Sequence, residues 1–258
     1  MNNKTCKVIV YADIDGSLLS SKYEAETIEP ILRQLLELKA SVVFDSSKTQ
    51  AEIEHYRKKW GIKDPYIVEN GSAIFIPKNY FQQNIKFTEQ TTDYEIVKLG
   101  KSYSDIRDKL AAAKKQTGAK LKGFGDMSAY EIAEDSGLPL SLAELAKKRQ
   151  YSEPFKILSG NEDEVIRALT SQGLCITRGG IYLHVIGDTD KGKAAAILKQ
   201  LYKAEFVDTQ FLGVGDSAND LPMLKIVDRA FWVDEKNPRE KVWGEILALA
   251  QTSSAKTG

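Results

Sequence analysis

Asp13 and Asp15 stand one residue apart, directly after the apolar run Val8–Ala12 and directly before Gly16-Ser17. Two carboxylates that close repel each other unless a cation or a proton lies between them. Taken alone, the spacing also fits a turn with two solvated acids. It gains meaning from other groups placed the same way. Ser46, Ser47 and Lys48 follow the apolar stretch Ser41–Phe44, and Glu69 and Asn70 follow Tyr66–Val68. Asp216, Asn219 and Asp220 follow Phe211–Val214, and Lys191 lies in Thr189-Asp190-Lys191-Gly192-Lys193. Carboxylates with hydroxyls and lysines suit Mg2+ together with a phosphate. The acids hold the hard cation, while Ser and Lys hold the oxygens of the anion.

These groups need elements to bring them together. Val8–Ala12 reads as a buried strand stopped by Gly16. The spacing of Ile28, Ile31, Leu32, Leu35 and Leu36 predicts a helix over Thr27–Leu38, with Pro30 in its first turn. Gln50–Trp60 reads as a helix closed by Gly61. Ala73–Ile76 is a further short strand. Such alternation is the signature of a parallel, doubly wound sheet, and the carboxyl ends of its strands form one crevice. From about Ile85 the rhythm changes. Tyr103–Gln116 and Ser141–Arg149 read as helices, and Lys156–Leu158, Gly173–Thr177 and Ile181–Ile186 as strands. After Gly187 the first rhythm returns, with helices Lys191–Tyr202 and Leu221–Ile226 and strands Phe211–Val214 and Arg229–Val233. The expected organisation is an α/β core over residues 1–84 and 187–258, interrupted by an α+β module over 85–186. The polar tail Gln251–Gly258 is expected to fray.

Composition removes several functional classes. Lys+Arg and Asp+Glu both number 36, so the chain carries no net charge and shows no basic stripe for nucleic acid. No apolar run approaches the roughly 20 residues of a membrane span, and the leading segment Met1–Lys7 has no apolar signal core. His55 and His184 are the only histidines, which excludes a His-rich zinc site. Cys6 and Cys175 have no metal-type spacing and point to a reducing, cytoplasmic setting. The expected partner is a small phosphorylated molecule, and the expected state is a monomer or homodimer.

In this order along the chain, the constellation resembles the four motifs of the haloacid dehalogenase superfamily of phosphotransferases. The resemblance implies a Rossmann-like doubly wound parallel sheet with an inserted α+β cap of the C2B type. It makes Asp13 the nucleophile that becomes an aspartyl phosphate. It makes Asp15 the acid that protonates the leaving alkoxide and then deprotonates water. Ser46 and Lys191 bind the phosphoryl oxygens. The acids assigned to the Mg2+ site are Asp13, Asp15, Asp216 and Asp220, with the Ile14 carbonyl beside them. Ser17 replaces the threonine usual after D-x-D-G and keeps its hydroxyl.

Only 30 residues separate Asp15 from Ser46, too few for a cap, whereas the long insert lies between Ser46 and Lys191. A lid in that position excludes water and selects a small substrate. Finer matches are similar to the mannosyl-3-phosphoglycerate phosphatase family. They include Ser46–Arg57, Val68–Lys78, Asp188–Ala195 and, most discriminating, Arg149-Gln150-Tyr151-Ser152-Glu153-Pro154-Phe155. That similarity implies hydrolysis of mannosyl-3-phosphoglycerate, with glucosyl-3-phosphoglycerate as a second substrate. Arg149, Arg178 and Lys48 then offer cations for its carboxylate or phosphate, while Ser47, Ser152, Glu153, Glu69, Asn70 and Asn219 offer polar contacts. Each has a bland alternative: Arg149 as a cation at a helix end, Glu153 as a loop acid, His184 as a packed histidine, His55 as a structural one. Ile181 stands where that family often has arginine. The competing readings are another sugar-phosphate phosphatase, a phosphosugar mutase, and a non-catalytic phospholigand sensor. Asp45 is an extra acid with no assigned role.

Overall fold

The computed structural model describes residues 6–20, 22–83 and 85–255. Met1–Thr5 of the leading segment, Asn84 near the first expected boundary and residues 256–258 of the tail lie outside the described residues. The strands are β1 (Lys7–Ala12), β2 (Ser41–Phe44), β3 (Tyr66–Val68), β4 (Ala73–Pro77), β5 (Glu89–Gln90), β6 (Tyr94–Lys98), β7 (Lys120–Gly123), β8 (Ser152–Ser159), β9 (Cys175–Gly179), β10 (Tyr182–Ile186), β11 (Thr209–Gly215) and β12 (Arg229–Trp232). The helices are α1 (Glu29–Glu37), α2 (Gln50–Trp60), α3 (Tyr103–Thr117), α4 (Ala129–Ser136), α5 (Leu140–Ala146), α6 (Glu162–Thr170), α7 (Lys191–Glu205), α8 (Leu221–Leu224) and α9 (Arg239–Ala255).

The central sheet is parallel, in the order β12-β11-β1-β2. Side chains alternate along a strand, so β1 feeds two cores. Val8, Val10 and Ala12 pack with Leu32 and Leu35 of α1 and Val242, Trp243 and Ile246 of α9. Ile9 and Tyr11 pack with Ala194, Ala195, Leu198 and Tyr202 of α7. Burial on both faces is why β1 is an unbroken apolar run rather than an alternating one. Among the described residues, no helix is long and apolar enough to cross a membrane.

A second sheet, β3-β4-β6-β5, is antiparallel and touches the first through a bridge between Asp45 and Ile67. The 84/85 boundary expected from sequence falls inside this sheet, because β6 pairs along the whole of β4. The chain therefore passes to the third sheet after β6, at residues 99–102. That third sheet, β7-β8-β10-β9, is also antiparallel. Its Phe155, Leu183 and Val185 pack on α3 and α6, and its opposite face turns toward the strand ends of the central sheet.

Local signals set several element ends. Thr49 and Glu52 form a capping box at the start of α2, with backbone bonds of 2.9 and 3.2 Å, a device that contributes about 1 kcal/mol. Gly61 ends the same helix in the left-handed conformation. Six elements have no counterpart in the sequence reading: β5, β6, β7, α4, α6 and α9. α4 and α6 span 8 and 9 residues, and each follows a side-chain cap, Ser128 and Asn161, that the sequence reading does not use. β7 (Lys120-Leu121-Lys122-Gly123) is an edge strand with little apolar content. The tail expected to fray is helical through Ala255, because α9 buries Val242, Trp243, Ile246 and Ala250 against the central sheet.

Candidate active site

The strand order brings the sequence motifs together. β1 lies between β2 and β11, in register Ala12↔Phe44 and Ala12↔Val214. The three strands therefore end level, with Asp13, Asp45-Ser46 and Gly215-Asp216 side by side. Asp13 donates its backbone N–H to Val214 (3.0 Å), and Asp45 donates its own to Ala12 (2.9 Å). The Asp15–Leu19 turn folds back over this edge, and the indole of Trp243 donates to the Ser17 carbonyl at 2.8 Å beneath it. Gly16 sits at φ +78°, and a side chain there would lie 2.3 Å from Asp216 Oδ2. Only glycine lets the turn lie this close to the acid.

Lys191 opens α7 at the back of the site. Asp190 caps the helix by accepting from Lys193 N–H at 2.7 Å. Gly71, at φ +87°, lets the turn after β3 press against the Asp190 carbonyl, where a Cβ would stand at 2.0 Å. The Lys191 ammonium bridges Asp13 (2.6 Å) and Asp220 (2.5 Å). Burial alone would lower its pKa, but Asp13, Asp220 and Asp45 outweigh burial and hold it well above the usual lysine range. Lys48 behaves alike beside Asp15 (2.8 Å) and Glu52 (3.6 Å). Both lysines stay cationic.

Carboxylate oxygens of Asp13, Asp216 and Asp220 lie within 4.8 Å of one another. Three acids against one ammonium leave a local negative excess. The titration behaviour reflects it. Burial pushes Asp13 well above the ordinary carboxylate range, Lys191 pulls it back, and Asp220 and Asp15 push it up again. Burial, then Asp220, raise Asp216 to about 6, while the Ser17 hydroxyl, donating at 3.1 Å, works against the rise. A divalent cation relieves that excess and is matched by an all-oxygen donor set, so the cluster fits such an ion. Asp15 lies outside this trio and faces Lys48 instead. Asp220 also accepts the backbone N–H groups of Asp216 and Ser217, both at 3.0 Å, which fixes the loop after β11.

The remaining sequence candidates divide into two groups. Ser46 is fully buried, outside the cavity lining, and its hydroxyl accepts from the Lys48 N–H at 3.3 Å, whereas Ser47, Lys48, Arg149 and Asn219 border a cavity of about 420 Å³ together with Asp13. Arg149 is fastened by donating to the Ser47 carbonyl (2.5 Å) and the Ser152 hydroxyl (3.1 Å). Asn70 accepts from Asn219 at 3.0 Å. Glu69, Glu153 and Arg178 take structural positions instead. Glu69 accepts from the backbone of Gln150 and Tyr151 and from the Ser152 hydroxyl, at 2.9, 3.0 and 2.7 Å. Glu153 and Arg178 share strand parity with Phe155 and Leu183, so both point to the helix-covered face of the third sheet. There Glu153 accepts from Tyr103, Arg107 and Gly125. Arg178, 62% exposed, pairs with Glu162 at 2.5 Å.

The cavity also has a wall that motif reading did not find. Tyr23, Phe124, Leu138, Pro154, Tyr182 and His184 line it, and Ile181 stands at its rim. Period-two alternation, which groups Tyr182 with His184, is the signal that finds part of this wall. Asp45 is fully buried, and neither carboxylate oxygen has a partner among the described residues. Burial raises it well above the ordinary range against the pull of Lys191. Nothing in the structure explains that choice of residue.

The sequence family described as haloacid dehalogenase-like hydrolase matches residues 10–242. A glucosyl-3-phosphoglycerate/mannosyl-3-phosphoglycerate phosphatase of Methanococcoides burtonii is 40% identical over 235 residues, which cover 89% of this chain and 85% of that protein. A mannosyl-3-phosphoglycerate phosphatase of Pyrococcus horikoshii is 39% identical over 225 residues, 87% of this chain and 90% of that one. Among solved structures, a Thermoplasma acidophilum protein superposes with a TM-score of 0.68 at 20% identity, covering 95% of this chain and 99% of that chain. A sugar phosphatase of subclass IIB of the superfamily superposes with a TM-score of 0.61 at 16% identity, covering 92% and 98%. The two structural likenesses speak for the fold alone. The match along most of the sequence, with identity near 40% to two phosphatases over most of their length, shows that this chain belongs to the haloacid dehalogenase-like hydrolases.

Proposed function

We propose that the protein is a Mg2+-dependent phosphatase that hydrolyses mannosyl-3-phosphoglycerate, and glucosyl-3-phosphoglycerate as a second substrate, to the glycosylglycerate and phosphate. The observation that carries this reading is Asp13, buried at the floor of the roofed cavity and held 2.6 Å from Lys191. The names of the relatives near 40% identity supply the substrate. A cavity of about 420 Å³ falls within the usual range for a small-molecule site.

Asp13 attacks phosphorus, the ester P–O bond breaks, and the leaving alkoxide takes a proton from Asp15. Asp15 then removes a proton from the water that cleaves the aspartyl phosphate. Lys48 orients Asp15 from 2.8 Å. Lys191 and the Ser46 hydroxyl hold phosphoryl oxygens as charge builds on them. Asp13, Asp216 and Asp220 are the residues that would hold Mg2+, which when bound supplies positive charge to a phosphoryl oxygen. Arg149, anchored to the core at Ser47, offers its cation to the glycerate carboxylate. The α+β module over the strand ends acts as the cap, and the setting is the cytoplasm.

The test is phosphate release with Mg2+ across glycosyl-3-phosphoglycerates and common sugar phosphates. The expected result is the highest kcat/KM for the glycosyl-3-phosphoglycerates. No release from either of them refutes the substrate. Conversion without net phosphate release points to a mutase.

A further inference from the structure

The loop between β1 and α1 carries a cavity residue that the proposed chemistry does not use. Tyr23 has φ +60°, a left-handed backbone that a bulky residue rarely adopts. Ser20 accepts from its N–H at 2.9 Å and donates to the Glu24 carbonyl at 2.8 Å, which closes the turn. Backbone of this kind persists only where the surroundings impose it, and it clusters at functional sites. The Tyr23 side chain lines the cavity that also holds Asp13, Asp15 and Lys48.

Its ring faces Lys48. The ammonium lies 5.9 Å from the centroid of Tyr23 and 5.8 Å from that of Tyr56, within the roughly 6 Å at which a cation is drawn to an aromatic face. From between the two rings it reaches Asp15 at 2.8 Å and Glu52 at 3.6 Å. Lys48 is 4% exposed, whereas the Asp15 side chain is 44% exposed. Asp15 Oδ1 has no partner among the described residues, and Oδ2 pairs with Lys48. The aim of the Asp15 carboxylate therefore depends on one cation, and that cation depends on its aromatic walls. An ion pair opened to water weakens.

The same tyrosine crosses from the core to the cap. Its hydroxyl donates to the Ser136 carbonyl, at the end of α4, at 3.4 Å. Leu138, two residues further on, packs both with the core cluster to which Tyr23 belongs and with the cap cluster of Phe124 and Tyr182. Burial, and then the charge of Asp15, push the hydroxyl up, so it stays a donor.

We propose that Tyr23 is a positioning residue: its ring walls in the Lys48 ammonium, which keeps Asp15 aimed at the leaving oxygen, and its hydroxyl ties that wall to the cap. The inference rests on the phosphatase reading, in which Asp15 gives its proton to that oxygen. It does not depend on which ester is the natural substrate. Tyr23 itself touches none of the reacting atoms in this account.

The experiment compares wild type, Tyr23→Phe and Tyr23→Leu on aryl phosphates of graded leaving-group acidity, from 4-nitrophenyl to phenyl phosphate, and on the best alkyl ester. The quantity read is the slope of log kcat/KM against the leaving-group pKa. A poor leaving group needs the proton from Asp15, and 4-nitrophenolate departs without it. A residue that only supports the fold lowers all esters alike and leaves the slope unchanged. In Tyr23→Leu the alkyl ester is expected to lose roughly 10-fold to 100-fold, part of what general acid catalysis supplies, while 4-nitrophenyl phosphate loses less than about 3-fold. The slope therefore steepens. Tyr23→Phe keeps the ring and is expected to keep the wild-type slope, with a modest rise in KM from the lost bond to the cap. An unchanged slope in Tyr23→Leu overturns the proposal, as does a slope in Tyr23→Phe as steep as in Tyr23→Leu. Should Tyr23→Leu fold poorly, Tyr23→Asn removes the ring with a residue that accepts positive φ, and the same slope decides. A wild type that hydrolyses no ester fails the phosphatase reading and the inference together, whereas an active wild type with an unchanged slope in the variant fails the inference alone.

Discussion

Glu69→Ala isolates the contact that ties the segment 149–152 to the core. Glu69 is fully buried and accepts three hydrogen bonds of 2.7–3.0 Å from Gln150, Tyr151 and Ser152, with the Arg149 guanidinium 3.4 Å away. It also holds an unusual backbone, since Glu69 and Asn70 both have positive φ, 49° and 60°. Removing the carboxylate strands the Arg149 charge and the Tyr151 N–H in a buried place. Loss of one partner from a buried charged pair costs roughly 3–5 kcal/mol. At about 2–4 °C per kcal/mol for a chain near this size, the melting midpoint should fall by about 6–20 °C. Glu69→Gln keeps the shape but turns an N–H2 toward donors, so it should fall between the two. Thermal unfolding followed by circular dichroism reads the shift. KM should also rise, because Arg149 and Ser152 lose the group that positions them. A Glu69→Ala protein melting within about 2 °C of wild type refutes the reasoning.

Further outcomes follow from the same geometry. Asp13→Asn should abolish turnover while leaving the melting midpoint close to wild type, since the two side chains are nearly isosteric; substantial residual activity removes Asp13 as nucleophile. Chelation by EDTA should stop phosphate release and added Mg2+ restore it, given three acids within 4.8 Å; rates unchanged in chelator count against the metal site. Gly16→Ala should cost most of the activity, because its Cβ would collide with Asp216 Oδ2 at 2.3 Å; normal kinetics would show that the turn can move aside. His184 should make the fold acid-labile. Burial lowers its folded pKa to about 3 from 6.5, so between those values the unfolded chain binds the extra proton. Stability is present above pH 6.5 and is lost as pH falls toward 3, by as much as roughly 4–5 kcal/mol at about 1.36 kcal/mol per pH unit. Urea midpoints of wild type and His184→Asn between pH 7 and pH 4 measure this, and equal slopes refute it.

How much of this was legible in the sequence depends on how local each cause is. The strand ends carrying Asp13, Ser46 and Asp216 were readable because an apolar run followed by Gly or a polar turn is a short-range signal. Gln50–Trp60 was read to the residue, since Thr49, Glu52 and Gly61 are local caps. α6 was missed although Asn161 and the acidic Glu162-Asp163-Glu164 mark its start. α9 is absent from the sequence reading, because it is held by packing of Trp243 and Ile246 rather than by its own polar residues.

The sequence by itself was enough to place the chain among the haloacid dehalogenase-like hydrolases, for Asp13, Asp15, Ser46, Lys191 and Asp216 sit in short motifs whose spacing survives any packing. It also determined the parallel sheet that carries them. Only the tertiary structure decided which candidates line the cavity. Glu153 and Arg178 are polar residues on strands of the inserted sheet, but register and the positions of α3 and α6 turn them away, while the same parity turns His184 inward. Glu69 belongs to the core, yet its partners lie more than 80 positions along the chain. A one-residue change of register reverses every such assignment. That choice is made by long-range pairing and burial, which no local pattern of residues records.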